Sequence, residues 1–250
     1  GRVKQNIGQF NDTVLIDLGY EKEANGKTYT YLVIVDEGTD WCVIKYVGEG
    51  EIGEKTSEAL YHKLEEAWID WAGPPDVVVG DSERGFVSEE FCNKLARAGS
   101  LYIPSAGYAP WQKGKVERKI QSACSIIRKT VLHQGCRGAD EMRVVGVEAA
   151  SALNHRPGAS GVSPGMMLFG QKMKLYGELY ANGEPAYHHL DGHDPSNELG
   201  RRLQIRCSAR QAAEHYFAKE MVRKTVAART RRTEQTAPGE FDCFNRNYPS

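Results

Sequence analysis

Residues 13–20, Thr-Val-Leu-Ile-Asp-Leu-Gly-Tyr, place a single carboxylate, Asp17, inside a β-branched and apolar run. Such a run predicts a strand with a buried face. The pair Asn25-Gly26 is a hairpin signal that leads into a second run at 29–35, and a third run follows at 41–47. Three strands with short connections predict an antiparallel meander at the start of a domain.

The segment after the meander alternates between helical and strand periodicity. Apolar spacing and breaker residues predict a helix at 54–71, a strand at 76–81, a helix at 88–98, a strand at 100–103, and helices at 112–133 and 140–154. This order of elements is similar to that of the ribonuclease H-like fold, an α/β fold. We therefore expect a mixed five-stranded sheet, three antiparallel strands and then alternating α and β, flanked by helices.

The domain organisation follows from where this periodicity begins and ends. We expect a linker at 1–10, the α/β core domain at 11–172, a polar loop and basic helical connector at 173–235, and the truncated start of a C-terminal β-module at 236–250. The chain begins at Gly1 and its last residues have a strand-like pattern. Both features lead us to expect a piece of a longer polyprotein.

The composition excludes several classes of protein. No apolar run approaches the roughly 20 residues that cross a membrane, so we expect an intracellular protein with no membrane partner. The six cysteines form no Cys-x-x-Cys pair, which predicts reduced thiols and no zinc site. His188, His189 and His193 cluster in a polar stretch, and for them we favour solvated loop side chains over metal ligands.

The net charge of −1 conceals an uneven distribution along the chain. Residues 1–100 carry 10 Lys and Arg against 19 Asp and Glu, whereas residues 101–250 carry 22 against 14. Ten of these basic residues lie within 201–232, together with only two acids. A solvated helix face is the commoner role of a charged run. This density favours neutralisation of nucleic-acid phosphates by a basic helical extension.

Three carboxylates are candidates for a shared site. Asp17 lies within an apolar strand, where a carboxylate is costly to bury unless it meets a cation. Asp81 ends an apolar strand, and Glu117 lies in the first turns of a long helix beside its apolar stripe. Each acid alone is weak evidence, because Asp12, Asp36, Asp40 and Asp76 are nearby rivals.

The sequence around these acids resembles the catalytic core of retroviral and LTR-retrotransposon integrases. Residues 105–118, Ser-Ala-Gly-Tyr-Ala-Pro-Trp-Gln-Lys-Gly-Lys-Val-Glu-Arg, are similar to the Pro-x-x-x-Gly loop and Val-Glu-Arg helix of that family. Thirty-five residues separate Asp81 from Glu117, the spacing of the family's D,D(35)E signature. Residues 154–157 (Asn-His-Arg-Pro) and 161–170 resemble its closing element. The resemblance covers about residues 10–172.

The resemblance implies both a reaction and its requirements. Asp17, Asp81 and Glu117 would be catalytic residues that hold two Mg²⁺ or Mn²⁺ ions, which suit oxygen ligands and phosphoryl transfer. The enzyme would trim the 3′ ends of an element's DNA and join them to target DNA. Its partner would be double-stranded DNA, its working form a homo-oligomer on DNA, and its location the nucleus.

Basic residues near the helix start and at the end of the connector are the predicted DNA contacts. The family places lysines one and two turns beyond the Glu, where this chain has Gln121 and Cys124, so that role is not transferred. The predicted DNA-binding residues are Lys113, Lys115, Arg118, Lys119, Arg223, Lys224, Arg229, Arg231 and Arg232. For the residues around the helix start, ordinary exposed helix charges are the alternative.

Two other functions fit the same residues. The family has Asn-Gly directly after the second Asp, whereas this chain has Ser82-Glu83 and keeps Phe86 at its usual spacing. That change supports an inactive or domesticated integrase copy that only binds DNA. A related DDE transposase or nuclease is the other alternative, although the closing element favours an integrase.

Overall fold

A computed structural model describes residues 9–50, 57–81, 85–105, 110–158, 161–173, 180–181, 184–185 and 198–229. The chain divides into two units, Gly1–Tyr216 and Phe217–Ser250. The first unit contains the sheet and the helices that cover it. Of the second unit, the structure describes the end of one helix. The predicted β-module at 236–250 lies outside the described residues.

The first unit begins with the antiparallel meander that the sequence predicts. Its strands are β1 (Thr13–Lys22), β2 (Thr28–Asp36) and β3 (Cys42–Glu49). The turn between β1 and β2 contains Gly26 at a φ of 88°, a conformation that suits glycine. Both strand pairs are antiparallel.

Helices and strands alternate after the meander. Helix α1 (Ser57–Leu64) continues through a π-helical turn (Glu65–Ile69) into α2 (Asp70–Ala72). Strand β4 (Val77–Gly80), helix α3 (Glu89–Ala98) and strand β5 (Leu101–Pro104) follow. The sheet order is β3-β2-β1-β4-β5, with β1, β4 and β5 parallel to one another. The predicted mixed five-stranded sheet is therefore confirmed.

The remaining helices are long, apart from one. They are α4 (Pro110–Gln134), α5 (Gly138–His155), α6 (Pro164–Phe169) and α7 (Glu198–Arg229). The stretch that the sequence predicted as a polar loop contains two-residue strands, β6 (Tyr180–Ala181) and β7 (Glu184–Pro185). Helix α7 confirms the predicted helical extension. Within the described part of the chain, no helix is long and apolar enough to span a membrane.

The two faces of the sheet are covered by different helices. Val14, Ile16 and Leu18 of β1 belong to a buried cluster with Leu60, Trp68 and Phe91 of the α1–α3 side. On the other face, the Tyr31 hydroxyl of β2 donates to the Met142 carbonyl of α5 over 2.8 Å. Because side chains alternate along a strand, residues 17, 19 and 21 of β1 share the α4 and α5 face.

The closing element fixes the edge strand β3. Asn154, buried at the end of α5, accepts a hydrogen bond from the Cys42 N–H over 2.8 Å and donates one to the Cys42 carbonyl over 2.7 Å. The Ser163 hydroxyl caps α6 by accepting from the Met166 N–H. Phe169 packs edge-on against Trp41, with ring centroids 5.4 Å apart. The motif residues at 154–170 therefore hold α5 and α6 against the start of β3.

Candidate active site

Asp17 and Asp81 lie at neighbouring positions on adjacent parallel strands. The register between β1 and β4 ends at the pair Ile16 and Gly80, and the two aspartates are the next residue on each strand. Paired strands are about 4.8 Å apart. Strand β1 continues to Lys22, whereas β4 ends at Gly80. The two aspartates therefore lie directly beyond the last β1–β4 pair.

The Asp17 carboxylate is half-buried on the face that α4 covers. Its Oδ1 accepts a hydrogen bond from the Leu18 N–H over 2.7 Å. A hydrogen-bond donor reduces the cost of keeping a charge away from water.

Asp81 is exposed, and two side chains of or beside β5 contact it. The Tyr102 hydroxyl donates to the Asp81 carbonyl oxygen over 2.9 Å. The Ser105 hydroxyl lies 3.4 Å from Asp81 Oδ1, a long hydrogen bond. Thus Tyr102 of β5 contacts the backbone of this residue, and Ser105, directly after β5, contacts its carboxylate.

Helix α4 runs along β1 in the same direction. A Cβ built on Gly19 would lie 3.1 Å from Cys124 Sγ, and the Arg128 guanidinium reaches Glu21 with bonds of 2.9 and 3.1 Å. From Gly19 to Glu21 the strand advances about 6.6 Å, and from Cys124 to Arg128 the helix advances about 6 Å. Strand and helix therefore stay in step over this region.

This alignment indicates where Glu117 lies relative to Asp17. Glu117 precedes Cys124 by two helical turns, about 10.5 Å, and faces the same side of the helix. Asp17 precedes Gly19 by about 6.6 Å. With ideal helix and strand spacings, we therefore expect Glu117 about 4 Å beyond Asp17 along the helix axis, less than one helical turn.

The structure brings the two aspartates together but does not add Glu117 to them. Among the described residues, no three His, Cys, Asp or Glu side chains are close enough to hold a metal ion. The donor set itself consists of carboxylate oxygens, which are the ligands of hard divalent ions such as Mg²⁺. Asp17 and Asp81 offer carboxylates of this type at neighbouring positions of β1 and β4, and Glu117 is on α4.

A buried polar cluster continues the same face of β1 away from Asp17. Glu21 is 2% exposed, and burial raises the pKa of its carboxyl group despite the bidentate contact with Arg128. Burial also raises the pKa of the Cys124 thiol to about 12, with further contributions from the charges of Glu21 and Asp17. Cys124 is thus a protonated thiol at neutral pH, which argues against a nucleophilic cysteine here.

Two of the rival acids have turn roles in the structure. Asp36 is fully buried and accepts hydrogen bonds from the Asn11 N–H and from the N–H and hydroxyl of Thr39. Asp40 adopts a positive φ of 61° in the same turn. A third rival, Asp76, directly precedes β4, at the opposite end of that strand from Asp81.

The structure describes the side chains of only some of the predicted DNA-binding residues. Arg118 is exposed and donates to the Gly114 carbonyl of its own helix over 2.8 Å, while Lys119 is half-buried. Arg223 and Lys224 are exposed on α7, and Arg223 lies 3.4 Å from Glu220. The side chains of the remaining members lie outside what the structure describes: Lys113, Lys115, Arg229, Arg231 and Arg232.

The first turns of α7 use their arginines within the protein. Arg201 pairs with Glu141 over 2.6 Å, and Arg206 pairs with Glu148 through bonds of 2.6 and 2.8 Å. Sequence reasoning assigned these arginines to phosphate neutralisation. The two glutamates are seven residues apart on α5, but their partners on α7 are about 60 residues away in the chain, so no local pattern indicated the pairing.

Comparison with known proteins gives a structural result only. No family model matches the sequence, and no curated protein matches it. A chain of the simian T-cell lymphotropic virus intasome, solved in complex with PP2A regulatory subunit B56 gamma, is similar at 19% identity with a TM-score of 0.52. That match covers 63% of this chain and 54% of the other, so this chain spans about half the length of that relative.

Two integrase catalytic cores are also similar. The core of the HTLV-2 integrase, solved in complex with magnesium as a dimeric form, matches at 19% identity over 63% of this chain and 96% of its own, with a TM-score of 0.49. The core of the BIV integrase matches at 16% identity over 64% and 95%, with a TM-score of 0.48. From the intasome match, together with the sheet order, the chain has the ribonuclease H-like fold of a retroviral integrase catalytic core.

Proposed function

We propose that this chain, with the fold of an integrase core as the premise, catalyses metal-dependent cleavage and joining of DNA. It would remove nucleotides from the 3′ ends of an element's DNA and transfer those ends to a target phosphodiester. The catalytic residues would be Asp17, Asp81 and Glu117. The observation that carries the proposal is the adjacency of Asp17 and Asp81 at the open end of the β1–β4 pair.

Each catalytic residue has a distinct part in this proposal. Asp17 lies within β1 and Asp81 directly follows β4, so their carboxylates would hold the metal ions to which the reacting phosphate binds. Glu117 lies on α4 and would close the site from the helix side. Two bound Mg²⁺ or Mn²⁺ ions would supply activation of the attacking oxygen and stabilisation of the leaving oxygen.

Basic side chains near this site and on α7 would bind the DNA backbone. Arg118 and Lys119 follow Glu117 directly on α4, where phosphates approach the carboxylates. The basic residues from Arg223 onward would contribute a second contact. Joining two ends together requires more than one active site, so we propose a homo-oligomer on DNA, which acts in the nucleus.

A strand-transfer assay tests this function. The protein is incubated with a labelled DNA duplex and a plasmid target, in Mg²⁺, in Mn²⁺, or with a chelator. We expect joined products with either metal and none with the chelator. DNA binding without nicking or joining would contradict the proposal and favour an inactive, DNA-binding integrase copy, for which the Ser82-Glu83 replacement is the supporting observation.

The proposed DNA contacts of the α7 end predict a weaker salt dependence in a charge-removal variant. Replacing Arg223, Lys224, Arg229, Arg231 and Arg232 with alanine should reduce the slope of log affinity against log salt by about 1 for each phosphate that is no longer neutralised. A matched control removes five basic residues of the acidic half: Lys22, Lys27, Lys63, Lys94 and Arg97. Equal slopes in wild type and in the α7 variant would contradict these contacts.

A further inference from the structure

We propose that Tyr102 is a positioning residue for Asp81, an inference that rests on the proposed metal-dependent function. Its hydroxyl donates to the Asp81 carbonyl oxygen over 2.9 Å. Tyr102 lies on β5, and its ring packs against Phe91 with centroids 5.8 Å apart. The ring is thus anchored in the α3 side of the core while its hydroxyl reaches the end of β4.

The position of Tyr102 in the sheet explains this reach. Tyr102 is in register with Val78, and the Asp81 carbonyl lies three residues further along β4. Tyr102 is partly buried and packs against the cluster that contains Val78 and Phe91. This cluster lies on the opposite side of the sheet from α4. Tyr102 therefore contacts the backbone of Asp81 from the face away from Glu117.

The absence of a side chain at Gly80 leaves room for the hydroxyl end of Tyr102. A Cβ at this position would lie 2.9 Å from the Tyr102 hydroxyl oxygen and 3.0 Å from Cγ1 of Ile16. Both distances are shorter than normal van der Waals contact. Any side chain at residue 80 would therefore displace the hydroxyl from the Asp81 carbonyl.

Anchoring this carbonyl has a consequence for the carboxylate. Asp81 is the first residue beyond β4, so no strand pairing in the β1–β4 or β4–β5 register extends to it. The Tyr102 hydrogen bond fixes the peptide plane on the C-terminal side of Asp81, and Ser105 contacts the carboxylate itself. A metal ligand held by such outer contacts binds its ion more tightly than one that must be ordered on binding.

The test is the affinity of the whole chain for Mn²⁺ alone, measured by electron paramagnetic resonance without DNA. Tyr102→Phe keeps the ring and removes the donor, and we expect about ten-fold weaker Mn²⁺ binding. Gly80→Ala should weaken binding in the same direction while the hydroxyl is present. The matched control is Tyr31→Phe, which removes a similar bond to the Met142 carbonyl far from Asp81; its Mn²⁺ affinity should equal that of wild type.

The outcomes separate this inference from the proposed function. Wild-type protein that binds no Mn²⁺, or binds it equally well as Asp81→Asn, contradicts the function and this inference together. Wild-type binding that requires Asp81 but is unchanged in Tyr102→Phe overturns the role of Tyr102 alone. In strand transfer, Tyr102→Phe should need about ten-fold more Mg²⁺ for half-maximal rate while approaching the wild-type rate at saturating Mg²⁺.

Discussion

Asp81→Asn should lower the rate of DNA strand transfer about a thousand-fold or more. The substitution keeps the size of the side chain and its capacity to accept a hydrogen bond from Ser105, but it removes the charge next to Asp17. A metal ion contributes several kcal/mol of transition-state stabilisation, and about 4 kcal/mol corresponds to a thousand-fold in rate. The measurement is the single-turnover rate of joining at saturating Mg²⁺.

The control for this variant lies on the same strand. Asp76→Asn alters an exposed aspartate at the opposite end of β4, so it should leave the joining rate within about two-fold of wild type, as for most surface substitutions away from a site. DNA affinity and the unfolding midpoint should be unchanged in both variants. If Asp81→Asn joins DNA as fast as Asp76→Asn does, the assignment of the active site is wrong.

The other two acids test different parts of the same site. Asp17→Asn should reproduce the loss, because residue 17 follows the last β1–β4 pair just as residue 81 does. Glu117→Gln examines whether α4 supplies the third ligand, since ideal spacings place Glu117 within about one helical turn of the level of Asp17. The two aspartate variants could lose most of the joining rate while Glu117→Gln keeps the wild-type rate. That result would mean that α4 supplies no metal ligand.

The strands and helices of the core were predictable because their periodicity is local. The run around Asp17, the Asn25-Gly26 turn and the apolar spacing of the helices each depend on residues within one element. Asp81 and Glu117 were predictable for another reason, namely their spacing and the motif at 105–118. Asp36 was a reasonable rival in sequence, and only the fold shows that its carboxylate is occupied by the Asn11 and Thr39 donors.

The contacts that position the site were not predictable from the sequence. Tyr102 lies in a strand that the sequence predicts, but its partner is a backbone carbonyl that any residue could offer. The sequence predicts one continuous helix at 54–71 and gives no sign of the π-helical turn at Glu65–Ile69. Long-range pairs such as Glu148 and Arg206, 58 residues apart, depend on how α5 and α7 pack. The density of basic residues at 201–232 therefore led to an overestimate of the number of arginines available to bind DNA.

Removal of Glu148 should cause the largest loss of stability among the single substitutions proposed. Its side chain is fully buried on α5 and accepts two hydrogen bonds from Arg206, whose side chain is 14% exposed. Glu148→Met would leave the Arg206 guanidinium largely buried without this carboxylate, which costs about 3–5 kcal/mol. For a domain of this size the unfolding midpoint should fall by about 10 °C.

A double variant distinguishes a buried charge from altered packing. Glu148→Met with Arg206→Met replaces the pair by apolar side chains and should recover most of the free energy of unfolding, because no charge remains buried. The control is Asp140→Asn, which disrupts an exposed pair with Arg143 on the same helix and should cost less than about 1 kcal/mol. Denaturant unfolding measures all four proteins. A double variant as unstable as Glu148→Met would show that altered packing, rather than the buried arginine charge, determines the loss. The second substitution reverses only the effect of that charge.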